Sequence, residues 1–266
     1  MPSLDEIRAA HGWKREYERY LPLSRYIFRP LGFRLTWLAI RLGLTAEAVS
    51  WLSAGVGLLG LAGLLSAREG VVAAGLGLLL LFNLLDCVDG SIARAMGTGN
   101  PYGRFLDSVC GSVVDLGFWA AVGVMTFRHP DLLAGLLGPS DPTVWLAVGG
   151  VTCFVAALLR EIERAYEELV HPTWQAPDGG EPTAGAGREP WLKTLARNLR
   201  VRETQYALLA VAMVARAVDV LLAGYLLYYL THVLTALRVY AARGGAVRVG
   251  RAGARRTPTP AEKRAP

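Results

Sequence analysis

Charge is scarce in this chain. Asp, Glu, Lys and Arg make up 19% of its 266 residues, against 53% hydrophobic, and mean hydropathy is +0.32. The apolar residues come in blocks of membrane-spanning length, which argues against an ordinary soluble domain. The three cysteines, Cys87, Cys110 and Cys153, all fall in apolar segments. They do not support a disulfide framework and read as packed thiols. Histidine and cysteine nowhere cluster at zinc spacing, so His129, His171 and His232 read as loop or interface residues. No internal repeat of the transporter kind is apparent. A basic patch interleaved with aromatics is also missing, so the net charge of +6 is not a nucleic-acid footprint.

That positive charge sits mostly in the N-terminal region, in Leu192 to Arg202 and in the tail after Ala241. Asp5, Glu6, Arg8 and Lys14 precede any apolar run, unlike a cleaved signal peptide. Residues 1–44 read as cytoplasmic and interfacial helices. Within them Phe33, Trp37, Leu38 and Ile40, with Arg34 and Arg41 seven apart, suggest an amphipathic helix lying on the membrane. Residues 45–240 read as six transmembrane helices, at roughly 46–65, 71–94, 104–127, 144–159, 204–215 and onward from the Arg216 to Asp219 turn to about 240. The fifth is short for a bilayer. Residues 170–190, rich in Pro and Gly, read as a mobile cytoplasmic loop, and 241–266 as a basic, disordered tail. The expectation is an all-α integral membrane protein of the cell (inner) membrane. Six crossings bring both termini and the basic segments to one side, the cytoplasm by the positive-inside rule.

Against this background, the stretch from Asp86 to Asp115 stands out. It reads Asp86-Cys87-Val88-Asp89-Gly90-Ser91-Ile92-Ala93-Arg94, eight residues, Gly103-Arg104-Phe105-Leu106-Asp107, then Gly111 and Asp115. Ionised groups in hydrocarbon persist mostly where they pair, bind ions or face a wet cavity. On a helix Asp86, Asp89, Gly90 and Ala93 share one face, and Gly103, Asp107 and Gly111 share another. Two such stripes set hard oxygen ligands beside small residues, which suits Mg²⁺ or Mn²⁺.

The pattern D-x-x-D-G-x-x-A-R, eight residues, G-x-x-x-D resembles the signature of the CDP-alcohol phosphotransferases (CDP-alcohol phosphatidyltransferases). Arg29-Pro30 also matches a pair that family members often carry before the first span, while Thr45-Ala46-Glu47 keeps only the Thr of a Thr-Pro-Asn segment. The resemblance implies transfer of a substituted phosphate group from a CDP-alcohol, usually CDP-diacylglycerol, to an acceptor hydroxyl, with release of CMP. It implies two divalent ions, with Asp86, Asp89 and Asp107 as ligands, and a homodimer. Gly90, Ala93 and Gly103 would leave space for the cytidine end, and Arg94 would lie near the nucleotide.

The full signature ends in a further Asp, a second-metal ligand and presumed base, where this chain has Gly111. Asp115 lies eight residues beyond Asp107, about 12 Å of rise away. Three readings stay open: Asp115 or a water replaces the base, a more acidic acceptor needs none, or the enzyme is crippled. Gly111 could also make room for a bulky acceptor. Arg200 and Arg202 could bind an anionic acceptor or simply hold orientation. Tyr225, Tyr228 and Tyr229 read as a packing or interfacial cluster. A catalytically silent CDP-lipid binder or scaffold is the alternative function, and a carboxylate-relay transporter a weaker one.

Overall fold

The computed structural model describes residues 1–12, 18–129, 131–133, 141–169 and 191–254. The expected mobile loop at 170–190, and the tail beyond 254, lie outside the described residues. Among the described residues there are nine α-helices and no strand. They are α1 (Leu4–Ala10), α2 (Arg29–Arg41), α3 (Ala46–Leu64), α4 (Glu69–Met96), α5 (Pro101–Arg128), α6 (Val144–Leu169), α7 (Trp191–Arg200), α8 (Arg202–Val214) and α9 (Val218–Ala254), with a π-helical turn at Ser24–Phe28 leading into α2.

Five helices, α3, α4, α5, α6 and α9, are long and apolar enough to cross a membrane, which makes this a multi-pass membrane protein. The remaining expected span corresponds to α8. It has 13 residues, about 20 Å of helix against a hydrocarbon core of about 30 Å. Helix α9 runs on to Ala254, past the expected boundary near Tyr240, so the first part of the anticipated disordered tail is helical.

Local chemistry sets these boundaries. Thr45 caps α3, its Oγ1 accepting from the Ala48 amide at 3.1 Å. Helix α4 ends at Gly97, whose φ of 64° is left-handed. The Thr98 amide reaches back to the Ala93 carbonyl and the Gly97 amide to that of Arg94, a Schellman closure. Three residues later Asn100 caps α5 by accepting from the Gly103 amide at 2.7 Å, and Pro101 takes the first helical position. Gly97 to Pro101 thus turns the chain between two long helices within a few residues, as its Gly and Pro content leads one to expect.

The described chain falls into two compact units. The first comprises Met1–Cys153 and Glu189–Gly224. In it α3 and α4 approach backbone to backbone: a Cβ on Gly63 would lie 2.6 Å from the Gly75 Cα. Gly123 of α5 and Gly149 of α6 meet in the same way. Such contacts let helices pack by dispersion where lipid removes the hydrophobic incentive. Ile7 of α1 joins Ala39 and Ile40 of α2, Val49 of α3, and Val88 and Ile92 of α4 in one apolar cluster. Helix α2 buries Gly32, Thr36, Ala39 and Ile40 and exposes Leu31 and Leu38. Phe118 of α5 packs edge-on against Tyr206 of α8, with ring centroids 5.0 Å apart.

The second unit comprises Phe154–Arg188 and Tyr225–Pro266. Tyr166 and Tyr240 stack there at 3.9 Å, and Arg243 donates to the Tyr166 hydroxyl. Tyr225, Tyr228 and Tyr229 form a ring cluster, and Tyr228 extends it to His232. A packing role for these tyrosines agrees with this geometry.

Candidate functional site

A cavity of about 850 Å³ opens where the start of α3, the end of α4, the 97–100 turn and the start of α5 converge. Asp89, Gly90, Ala93 and Arg94 line it from α4, and Gly103, Arg104 and Asp107 from α5. Residues separated by a helix break in sequence thus face one space. They do so because the Gly97 closure and the Asn100 cap reverse the chain between the two helices.

Asp89 is almost fully buried, at 3% exposure. One of its oxygens, Oδ2, accepts from Ser50 Oγ of α3 at 2.6 Å, and Oδ1 accepts from the Gly90 amide at 2.5 Å. Asp107 of α5 also lines the cavity and is exposed. The two carboxylates are within range of mutual repulsion, and Asp86 acts on both. Arg94 folds back over its own helix: a Cβ on Gly90 would stand 3.2 Å from Arg94 Nη1. Gly90 therefore leaves room first for that guanidinium. Its Nη2 donates weakly to Ser91 Oγ at 3.4 Å.

Asp86, one turn before Asp89, has a different environment. Its Oδ2 accepts from Arg202 Nη1 of α8 at 2.8 Å. The same guanidinium grips Asp115 of α5 with two nitrogens, Nε to Oδ1 at 2.6 Å and Nη2 to Oδ2 at 3.2 Å. The Phe82 ring lies 5.2 Å from its centre. Gly111 is buried directly against it, and a Cβ built there would lie 2.5 Å from Arg202 Nη2. The room left by the missing side chain at 111 holds a guanidinium.

Among the described residues no three His, Cys, Asp or Glu side chains stand together as a ready-made metal cage. The donor chemistry still suits one hard divalent ion on the cavity side. Mg²⁺ is commonly held by one or two carboxylates together with substrate phosphates, without an all-protein cage. Asp89 and Asp107 supply two such carboxylates, and the cavity has space for a ligand beside them. At Gly111, where the resemblance implies a further carboxylate, a cation already lies against the backbone.

Three contacts were out of reach of the motif alone. Ser50 as donor to Asp89, Asn100 as the cap that orients Gly103, and Arg202 as partner of Asp86 and Asp115 all come from outside the signature. Asn100 had a local signal, lying before Pro101 at the helix break, and Arg202 an indirect one, because a carboxylate inside an apolar helix, such as Asp115, calls for a cation somewhere. No family model matches this chain, and no curated protein matches it.

Proposed function

We propose that this protein is a membrane-embedded phosphotransferase that moves a substituted phosphate group from a CDP-alcohol to an acceptor hydroxyl and releases CMP. The observation that carries this reading is that the signature residues of α4 and α5, Asp89, Gly90, Ala93, Arg94, Gly103 and Asp107, line one cavity large enough for a nucleotide diphosphate. Six crossings (α3, α4, α5, α6, α8 and α9), with α2 lying in the interface, put the cavity at the cytoplasmic face of the inner membrane, where a nucleotide can reach it. Helix α8 makes its short crossing against protein neighbours. A homodimer is the assembly that the resemblance implies.

Asp89 and Asp107 would hold Mg²⁺ or Mn²⁺, which would supply positive charge to offset the donor's diphosphate. Ser50 keeps the Asp89 carboxylate oriented. Arg94 and Arg104 lie beside the nucleotide phosphate, and the small residues Gly90, Ala93 and Gly103 leave space along it. The acceptor oxygen attacks the phosphorus bearing the alcohol, and the bond from that phosphorus to the CMP oxygen breaks. The acceptor proton passes to a carboxylate, a role that falls to Asp107, which is exposed and lines the cavity. Asp115, with both oxygens on Arg202, serves to position that guanidinium.

The test is CMP release by purified protein in lipid nanodiscs, supplied with CDP-diacylglycerol, Mn²⁺ and a panel of hydroxyl acceptors. Release that needs both ion and acceptor, and that disappears in Asp107→Asn, supports the enzyme. Ion-dependent CDP binding with no CMP from any acceptor would instead identify a silent CDP-lipid binder. The guanidinium against Gly111 is the observation that supports this second reading. Absence of both binding and release defeats the proposal.

A further inference from the structure

We infer that Arg202 is the second cation of this site, built into the protein, so that the cavity takes one divalent ion and not two. The inference rests on the phosphotransferase reading and specifies what that site contains.

The geometry makes Gly111 and Arg202 a matched pair. Arg202 starts α8, reaches between α4 and α5, and places three nitrogens on Asp86 and Asp115 at 2.8, 2.6 and 3.2 Å. Its Nη2 lies where a side chain on Gly111 would begin, at 2.5 Å from a Cβ there. A carboxylate at 111 and the guanidinium in this pose exclude each other. Asp115 in turn lies one helical turn past Gly111, where it grips the guanidinium from the side.

Charge leads to the same conclusion. Asp86 feels the repulsion of Asp107 and of Asp115, and all three sit in helices long enough to cross a membrane. Uncompensated carboxylates in such a setting are costly. Arg202 compensates Asp86 and Asp115 permanently, because a guanidinium does not lose its proton in proteins. On the other side, Asp89 and Asp107 line the cavity, where an ion arriving with the diphosphate would meet them. An exchangeable ion and a fixed one thus divide four carboxylates into two pairs.

The experiment counts manganese. Protein in nanodiscs is saturated with CDP, which binds without turning over, and titrated with Mn²⁺ while the free ion is followed by electron paramagnetic resonance. The expected count is one ion per protomer for the wild type. The double variant Gly111→Asp/Arg202→Ala restores the carboxylate and removes the guanidinium, and its expected count is two. Two ions in the wild type overturn the inference and leave the phosphotransferase reading standing. One ion in a double variant that elutes as folded protein also overturns it. No ion and no CDP bound by the wild type overturns the functional reading and the inference together. Should the double variant fail to fold, the wild-type count alone decides.

Discussion

Asp86 and Asp89 lie three residues apart on one helix, within the same signature, and the protein gives them opposite partners. Asp89 receives two neutral donors, Ser50 Oγ and the Gly90 amide, and faces the cavity. Asp86 receives a full positive charge from Arg202, which also ties it to Asp115 on the next helix. A carboxylate held by neutral donors keeps its charge available to a ligand, whereas one clamped by a guanidinium has spent it on structure. Side-chain spacing puts both on one face. What lies opposite each of them decides the role.

The largest effect should come from the cavity side. Asp89→Ala or Asp107→Ala is expected to weaken divalent-dependent CDP binding by more than about 100-fold, beyond the loss typical of outer-shell partners. Calorimetry in nanodiscs measures it directly. Asp86→Asn should leave most of that binding intact, because the Asp86 charge is already matched by Arg202. An equal loss in all three variants would erase the distinction between the two sides.

Next in size is the stability cost on the clamp side. Arg202→Ala leaves Asp86 and Asp115 facing each other without a cation. The three side chains keep 19–23% exposure, so the cost should fall somewhat below that of a fully buried pair, at about 2–4 kcal/mol. Denaturant unfolding in detergent, followed by helical circular dichroism, reads this. Asp115→Asn should cost less, because Arg202 keeps Asp86. Should Arg202→Ala prove as stable as wild type, the ion pairs would be surface ornaments and the comparison would fail.

How much of this was visible beforehand follows from the range of each signal. The ends of α3, α4 and α5 came within a few residues of expectation, because Thr45, Gly97, Asn100 and Pro101 act on backbone groups only a few positions away. The shared cavity followed from helical periodicity on both sides of that break. In the sequence Arg202 reads as a charge that binds an anionic acceptor or holds orientation, but its partners lie 87 and 116 residues away. No local pattern carries pairing over such a distance. Gly111 is instructive for the same reason: in the motif it reads as a missing carboxylate or as room for an acceptor, and only the folded chain brings a guanidinium there. The shortness of α8 was legible, yet the sequence could not show that its first residue reaches into the carboxylate cluster.

A smaller effect separates orientation from charge at Asp89. Ser50→Ala removes a hydroxyl donor from a nearly buried carboxylate. A hydrogen bond to a charged group contributes about 1.5–3 kcal/mol. Affinity for CDP with Mn²⁺ should therefore fall about tenfold or somewhat more, with no change in the number of ions bound. Ser50→Thr, which keeps the hydroxyl, should recover much of it. A Ser50→Ala protein with unchanged affinity would mean that Asp89 is oriented by α4 alone.

The smallest effect concerns an ion cluster outside the long helices, and it guards against misreading acid sensitivity as a property of the carboxylate pairs. Near the N-terminus, Glu18 Oε1 lies 2.8 Å from His11 Nε2 and 2.7 Å from Arg29 Nε, and all three side chains are largely buried. Burial alone would raise the Glu18 carboxyl, but the His11 hydrogen bond and the Arg29 charge outweigh it and hold the group below its usual value of 4.5. A folded-state value below the unfolded one means that Glu18 contributes stability above about pH 4.5, and that this contribution is lost as pH falls through the lowered folded value. Glu18→Gln should therefore lower stability at neutral pH by a modest amount and flatten the acid limb of the stability profile below pH 4.5. The Arg202 cluster remains intact in this variant, so the difference between the two acid limbs belongs to the N-terminal cluster. An unchanged acid limb in Glu18→Gln would leave the N-terminal cluster without a role in pH response.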